Sequence, residues 1–274
     1  MKSCVTISLV PSLQGGPWVL WDNLEKSIRT ASEIGFDGVE LFTENASVES
    51  QTPLEDLLDR YNIKLGAVGT GAGKVIHGLT LTDKDATTRS DAKRFIKEMI
   101  SFGAQHGAPS ILGSMQGSYS NEVDKKTAIN YLGEALEDLG SYASSLGTFF
   151  IYEPLNRYET NLFNLFDEAC DFCRNLNTDG LKVLGDLFHM NIEESDIAGT
   201  IRANADMLGH VHFADSNRKP VGYGHTDMPP ITKSLKEINY TGYISAEAFA
   251  FPDPITAARQ TFKSFRKFTG PSDI

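Results

Sequence analysis

LKVLGDLFHMNIEESDIAGTIRANADMLGHVHFAD, residues 181–215, holds one full period of the plan on which the chain is built. Apolar, β-branched runs at 181–188 and 210–215 read as strands, and 196–207 between them reads as a helix. Both runs are nearly continuous in apolar character, which suits parallel strands buried on both faces. The same alternation extends in both directions. Further strands are expected at 4–10, 37–42, 63–70, 109–115, 148–154 and 243–249, which makes eight. Helical patterns fall between them at 21–34, 52–61, 85–106, 122–146, 162–176, 230–238 and 254–268. Gly35, Gly107 and Gly147 follow three of these, as short helix-to-strand connections require. Eight such units, with no linker or shift in composition, predict a single (β/α)8 TIM barrel over 1–274. The alternative is an open doubly wound sheet, but its usual GxGxxG turn is missing from the first loop, PSLQGGPW.

Composition narrows the function. With 36 acidic against 25 basic residues the net charge is −11, the reverse of the basic footprint that holds a phosphate backbone, so no nucleic-acid partner is expected. No apolar run is long enough for a membrane span. The opening MKSCVTISLVPSLQGG lacks a small-residue cleavage site and reads as the first strand rather than a targeting segment. Three cysteines, an odd and sparse set, fit a reducing compartment, and a cytoplasmic location is expected. Cys170 and Cys173 make a C-x-x-C inside the helical pattern EACDFCRNL, where packing is the expected role. GTGAGK at 69–74 lacks the spacing and the Ser/Thr of a P-loop.

In a barrel of this kind the C-terminal ends of all strands face one mouth, and catalytic groups sit there. Strand five ends at Glu153, strand six around Asp186, strand seven around His212 and strand eight around Glu247. These positions are 33, 26 and 35 residues apart, about one strand–helix unit each. Ionised carboxylates so placed repel one another and lose solvation. Three acids and one imidazole at one rim therefore make sense around a divalent cation, and an oxygen-rich set suits Mn2+, Mg2+ or Co2+, with Zn2+ less exclusively favoured. His210, on the same face as His212, reads as a satisfied core histidine. Glu40 on strand two is expected to face the barrel interior as a support.

YEPLNRYET (152–160), GDLFHMNIEE (185–194), GHVHFADSNRKPVGYGHTD (209–227) and SAEAF (245–249) resemble the sugar phosphate isomerase/epimerase family, with its xylose isomerase-like barrel. Within it the chain is most similar to ketose 3-epimerases of the D-tagatose/D-psicose and L-ribulose type. The resemblance is strongest over 148–250 and weaker before that, where DGVELF (37–42) carries it. It implies one divalent metal ion, Mn2+ ahead of Mg2+, Co2+ or Zn2+, bound by Glu153, Asp186, His212 and Glu247. It implies Glu153 and Glu247 as the catalytic acid/base pair, and Glu159, His189 and Arg218 as substrate-binding residues. A small-molecule sugar substrate and a homodimer or homotetramer also follow from it.

The chemistry is coherent. A ketose carries an acidic C–H beside its carbonyl. Removing the C3 proton gives a cis-enediolate, and returning a proton to the opposite face inverts C3. Exchange at C1 instead would interconvert aldose and ketose. Hydroxypyruvate isomerases and inosose isomerases or dehydratases share the same metal set and stay open as alternatives. A single Arg218 without a phosphate cradle favours a free sugar. His225 and Asp227 are similar to the extra metal ligands of the endonuclease IV branch of the superfamily, and are expected to hydrogen-bond within the loop or to take a second metal. An endonuclease IV-like phosphodiesterase is the remote alternative: it needs three zinc ions, and the chain has six histidines and no basic surface. A non-catalytic sugar-binding protein is a third class. The loops PSLQGGPW and GAGKVIHG are expected to form the specificity wall.

Overall fold

The computed structural model describes residues 1–48 and 52–270. Its eight strands are β1 (Lys2–Ser8), β2 (Gly38–Phe42), β3 (Lys64–Gly69), β4 (Ser110–Leu112), β5 (Phe150–Tyr152), β6 (Leu181–Asp186), β7 (Leu208–His212) and β8 (Tyr243–Ala246). They pair in sequence order, all parallel, and β8 closes on β1, which makes a (β/α)8 barrel. The connecting helices are α1 (Leu24–Ile34), α2 (Leu54–Arg60), α3 (Ala72–Val75), α4 (Ala86–Gln105), α5 (Lys125–Ser145), α6 (Phe166–Arg174), α7 (Leu187–Glu193), α8 (Ile197–Ala203), α9 (Met228–Glu237) and α10 (Pro254–Thr269). Among the described residues no helix is long and apolar enough to cross a membrane.

Local chemistry fixes the ends. Asp85 and Asp124 accept backbone N–H bonds from Thr87 and Thr127, capping α4 and α5. Gly107 and Gly147, just past those two helices, take φ of 70° and 76°, where a side chain would be strained. Two helices were not legible as such. Leu187–Phe188 reads as the end of a strand, yet the Asp186 carboxylate accepts the Phe188 N–H at 2.7 Å and starts α7 there. The four-residue α3 lies inside the Gly-rich GAGKVIHG. A short apolar run does not separate strand from helix.

The main core lies between strands and helices, and a second, smaller apolar cluster joins Ala67, Ile111, Ile151 and Leu184 from β3, β4, β5 and β6. Residues two apart on a strand share a face. Ile151 and Leu184 are thus beneath Glu153 and Asp186, and give those acids an apolar floor. Cys4, Cys170 and Cys173 are free and buried, and burial pushes the Cys173 thiol up to about 12. The C-x-x-C of α6 is therefore inert packing at neutral pH.

Candidate active site

Four strand ends bring four donors together. His212 Nδ1 lies 3.5 Å from Glu153 Oε1, 3.5 Å from Asp186 Oδ2 and 3.7 Å from Glu247 Oε2. All four ligand atoms fall within 4.8 Å of one another. Metal–ligand distances of roughly 2.0–2.6 Å allow ligand atoms up to about 5 Å apart, so the set is of the right size for one cation. Glu153 Oε1, Asp186 Oδ2 and His212 Nδ1 are also buried without any hydrogen-bond partner among the described residues. Orphaned polar atoms of this kind cost several kcal/mol in a protein interior, on the order of 1–3 each. A divalent cation satisfies all of them at once, and the residues therefore fit the ion that the spacing predicts.

The electrostatics point the same way. Burial pushes the Glu247 carboxyl up to about 7, against the pull of Arg218 and His212. Burial alone would lower the His212 pKa, but the carboxylates of Glu40, Glu247, Asp186 and Glu153 drive it well above its ordinary value. Asp186 and Glu40 are likewise disfavoured by burial, yet neighbouring histidines hold both carboxyls well below the usual range. The carboxylates thus hold His212 protonated, the histidines hold Asp186 and Glu40 ionised, and burial sets Glu247 apart from the other acids.

His189, Glu159 and Arg218 converge on the same centre. His189 Nδ1 receives the side-chain amide of Asn156 at 2.7 Å and its backbone N–H at 3.3 Å. Asn156 Oδ1 accepts from the Tyr158 N–H, so the amide nitrogen is the atom facing the ring. Nδ1 is thereby an acceptor, and Nε2 carries the proton. That Nε2 is 3.6 Å from Asp186 Oδ2 and 3.8 Å from Glu153 Oε1, and has no hydrogen-bond partner among the described residues. Arg218 bonds Glu247 Oε2 at 2.7 Å and Glu159 Oε1 at 3.3 Å, with its guanidinium over the Phe188 ring. Asn156 and Phe188 carry no signal of their own in the sequence beyond adjacency to Glu153 and His189.

Arg218 holds a left-handed backbone, φ 57°, unusual for a side chain that large. The loop is pinned from within. The Asp215 carboxylate accepts the backbone N–H groups of Ser216, Gly222, Gly224 and Thr226. A Cβ on Gly224 would collide with that carboxylate. Burial raises the Asp215 pKa, but the four donors outweigh it and hold the carboxyl below its usual value. Asp215→Ala is expected to cost about 2–4 kcal/mol at neutral pH, since bonds to a charged acceptor are worth more than neutral ones. Because the folded pKa is depressed, this difference from the parent is complete above about pH 4 and shrinks as pH falls below it. Thermal melts at pH 7 and below pH 4 check this, and KM should rise as Arg218 loosens.

His225 is exposed and tied to Ser216, whose Oγ lies 2.9 Å from its Nδ1 and accepts its backbone N–H. Asp227 stands at the N-cap position of α9. Neither joins a cluster of potential metal ligands among the described residues. For His225 the geometry supplies the hydrogen-bonding role in the loop, while Asp227 makes no side-chain cap bond to α9.

The site opens into a cavity of about 220 Å³. Its lining combines Glu153, His212, Arg218 and Glu247 with the apolar Pro17, Trp18, Phe42 and Val75. Pro17 and Trp18 come from PSLQGGPW, and Gly71 and Val75 from GAGKVIHG, the two loops expected to wall the pocket. The volume is below the roughly 300–1,000 Å³ of drug-sized pockets, which suits a small ligand.

Fold and site together define a barrel enzyme with a candidate divalent-metal site, and comparison with known proteins agrees on the fold and the class of enzyme. The family model described as the xylose isomerase-like TIM barrel matches residues 28–268, and the chain belongs to that family. The D-psicose 3-epimerase of Agrobacterium fabrum is 29% identical over 255 residues, spanning 90% of this chain and 86% of that one. The D-psicose 3-epimerase of Ruminiclostridium cellulolyticum is 30% identical over 231 residues, 81% of this chain and 77% of that one. A solved D-psicose 3-epimerase, crystallised in the presence of D-fructose, superposes with a TM-score of 0.81 at 24% identity, covering 99% of this chain and all of the other.

Proposed function

We propose that the chain, residues 1–274 acting as one barrel domain, is a divalent-metal-dependent ketose 3-epimerase of an unphosphorylated sugar. The observation that carries this reading is the group of buried, partnerless Glu153, Asp186 and His212 atoms facing Glu247 at one mouth. A cation held by these four supplies Lewis acidity toward a substrate carbonyl and its neighbouring hydroxyl. Three carboxylates and one imidazole favour Mn2+, with Mg2+, Co2+ and Zn2+ as alternatives.

Glu153 and Glu247 rise from β5 and β8, three strands apart around the ring, and so approach the substrate from different sides. One takes the C3 proton, and the other returns a proton to the opposite face of the planar enediolate. His189 directs its Nε2–H at the oxygen on which charge develops. Arg218 and Glu159 fix the substrate hydroxyls, and Trp18 and Phe42 exclude water. Among the described residues Arg218 is the single Lys or Arg lining the cavity, and two carboxylates already engage it, which supports a free sugar over a phosphorylated one. Net charge −11 and the buried free thiols are in keeping with a cytoplasmic enzyme that takes no nucleic acid.

The test is solvent-deuterium incorporation into a panel of free ketoses, followed by NMR with Mn2+-loaded protein. Label at C3 with a new epimer is the expected result. Label at C1 with an aldose would move the assignment to aldose–ketose isomerisation on the same residues. No label in any free ketose overturns the reading.

A further inference from the structure

Behind the four donors lies a second buried group that the reaction itself does not use. Glu40 on β2 faces two imidazoles of β7, with Oε2 2.9 Å from His210 Nε2 and Oε1 3.1 Å from His212 Nε2. The three side chains are buried, at 4%, 1% and 1% exposure. They are close enough together to suggest a metal site of their own. The hydrogen bonds argue otherwise, because each carboxylate oxygen already engages one imidazole nitrogen directly. The group is a clamp closed on itself.

A carboxylate offers acceptors and no donors. Each facing Nε2 must therefore carry its proton. In the neutral imidazole that a cation requires, this decides the other nitrogen of His212, since the Nδ1 that points at Glu153, Asp186 and Glu247 then holds the lone pair. Histidine ligands generally donate their second N–H to such a partner, which fixes the tautomer and the ring plane. His210 adds what a lone Glu–His pair lacks. By holding Oε2 it stops the Glu40 carboxylate from turning away from His212 or toward the donors beside it.

We propose that Glu40 is a positioning residue for the metal centre: it accepts the Nε2–H of His212 and so presents Nδ1 to the ion, with His210 as the anchor that keeps the carboxylate in place. This rests on the four-donor reading above. Glu40→Gln is the informative change, because it keeps the shape but replaces two acceptors with one acceptor and one donor. It cannot serve both Nε2–H groups. The expected result is a 10–100-fold loss of Mn2+ affinity, measured as free Mn2+ by EPR. A purely structural role would lower the melting temperature in EDTA and leave the affinity intact.

A measurement on the unaltered protein stands beside it, independent of whether the variant folds. In Mg2+-loaded protein labelled with 15N-histidine, His212 should show a protonated Nε2 and an unprotonated Nδ1. The Nδ1–H tautomer, or a Glu40→Gln protein that binds Mn2+ within threefold of the parent, overturns the inference alone. A parent that binds no divalent ion overturns the four-donor reading and this inference together.

Discussion

In Glu153→Gln and in Glu247→Gln, formation of the C3 epimer falls by about a thousandfold or more at saturating Mn2+, within and beyond the range that general acid–base groups contribute. Gln keeps the size of Glu and an oxygen that can face the ion, but it neither takes nor returns a proton. Inverting C3 needs both faces of the enediolate, so loss of either carboxylate blocks the whole conversion. Exchange is the finer measurement. The surviving glutamate still reaches the hydrogen of one epimer, so each variant should exchange deuterium with one epimer at most, and the two variants should differ in which. Epimer formation within tenfold of the parent in either variant would sink the two-base scheme. Equal exchange with both epimers in either variant would sink it too, because a single mobile base would then be serving both faces.

Glu153 and Glu247 are legible in the sequence, as is Glu40 behind the site, whereas Asp215 and Asn156, which hold the Arg218 loop and His189, are not. The strand ends at Glu153, Asp186, His212 and Glu247 recur at intervals near one strand–helix unit, and a closed parallel barrel sends every such end to one mouth. Topology turned a one-dimensional spacing into a three-dimensional cluster. Asp215 and Asn156 obey no spacing rule. Asp215 works through the backbone N–H groups of Ser216, Gly222, Gly224 and Thr226, and a backbone donor carries no side-chain signature in the sequence. Asn156 sets the His189 tautomer across 33 positions of chain. Asp186 has two jobs, and only the strand-end one follows from the period: it lines the site through Oδ2, and it caps α7 through Oδ1. Boundaries failed for a related reason. The apolar Leu187 and Phe188 continue the pattern of β6, and only the cap formed by Asp186 turns the chain there.

Gly113→Ala is expected to leave a folded protein with kcat/KM at least a hundredfold lower. Gly113 follows β4 and lines the cavity, and nothing in GSMQG marks it as a site residue. A Cβ built there would stand 2.6 Å from Glu153 Oε2, well inside contact distance. The obstruction is the far end of a flexible side chain, so the fold can absorb the methyl group by turning the Glu153 carboxylate aside. That relief costs little stability, and the melting temperature should stay within a few degrees of the parent. The cost falls on the chemistry. Glu153 Oε1 must keep its place 3.5 Å from His212 Nδ1 and 3.8 Å from His189 Nε2, and a displacement of about 1 Å in a reacting group can cost on the order of a hundredfold in rate. The Glu153 backbone is held by the same segment, since its N–H donates to Leu112 O and its carbonyl accepts the Gln116 amide, so only the side chain is free to yield. Weaker Mn2+ binding should accompany the rate loss, because the displaced carboxylate is also one of the four donors. A variant with parental kcat/KM would mean that Glu153 acts from a position other than the one it holds beside Gly113, and its assignment as a base at this site would fall with it.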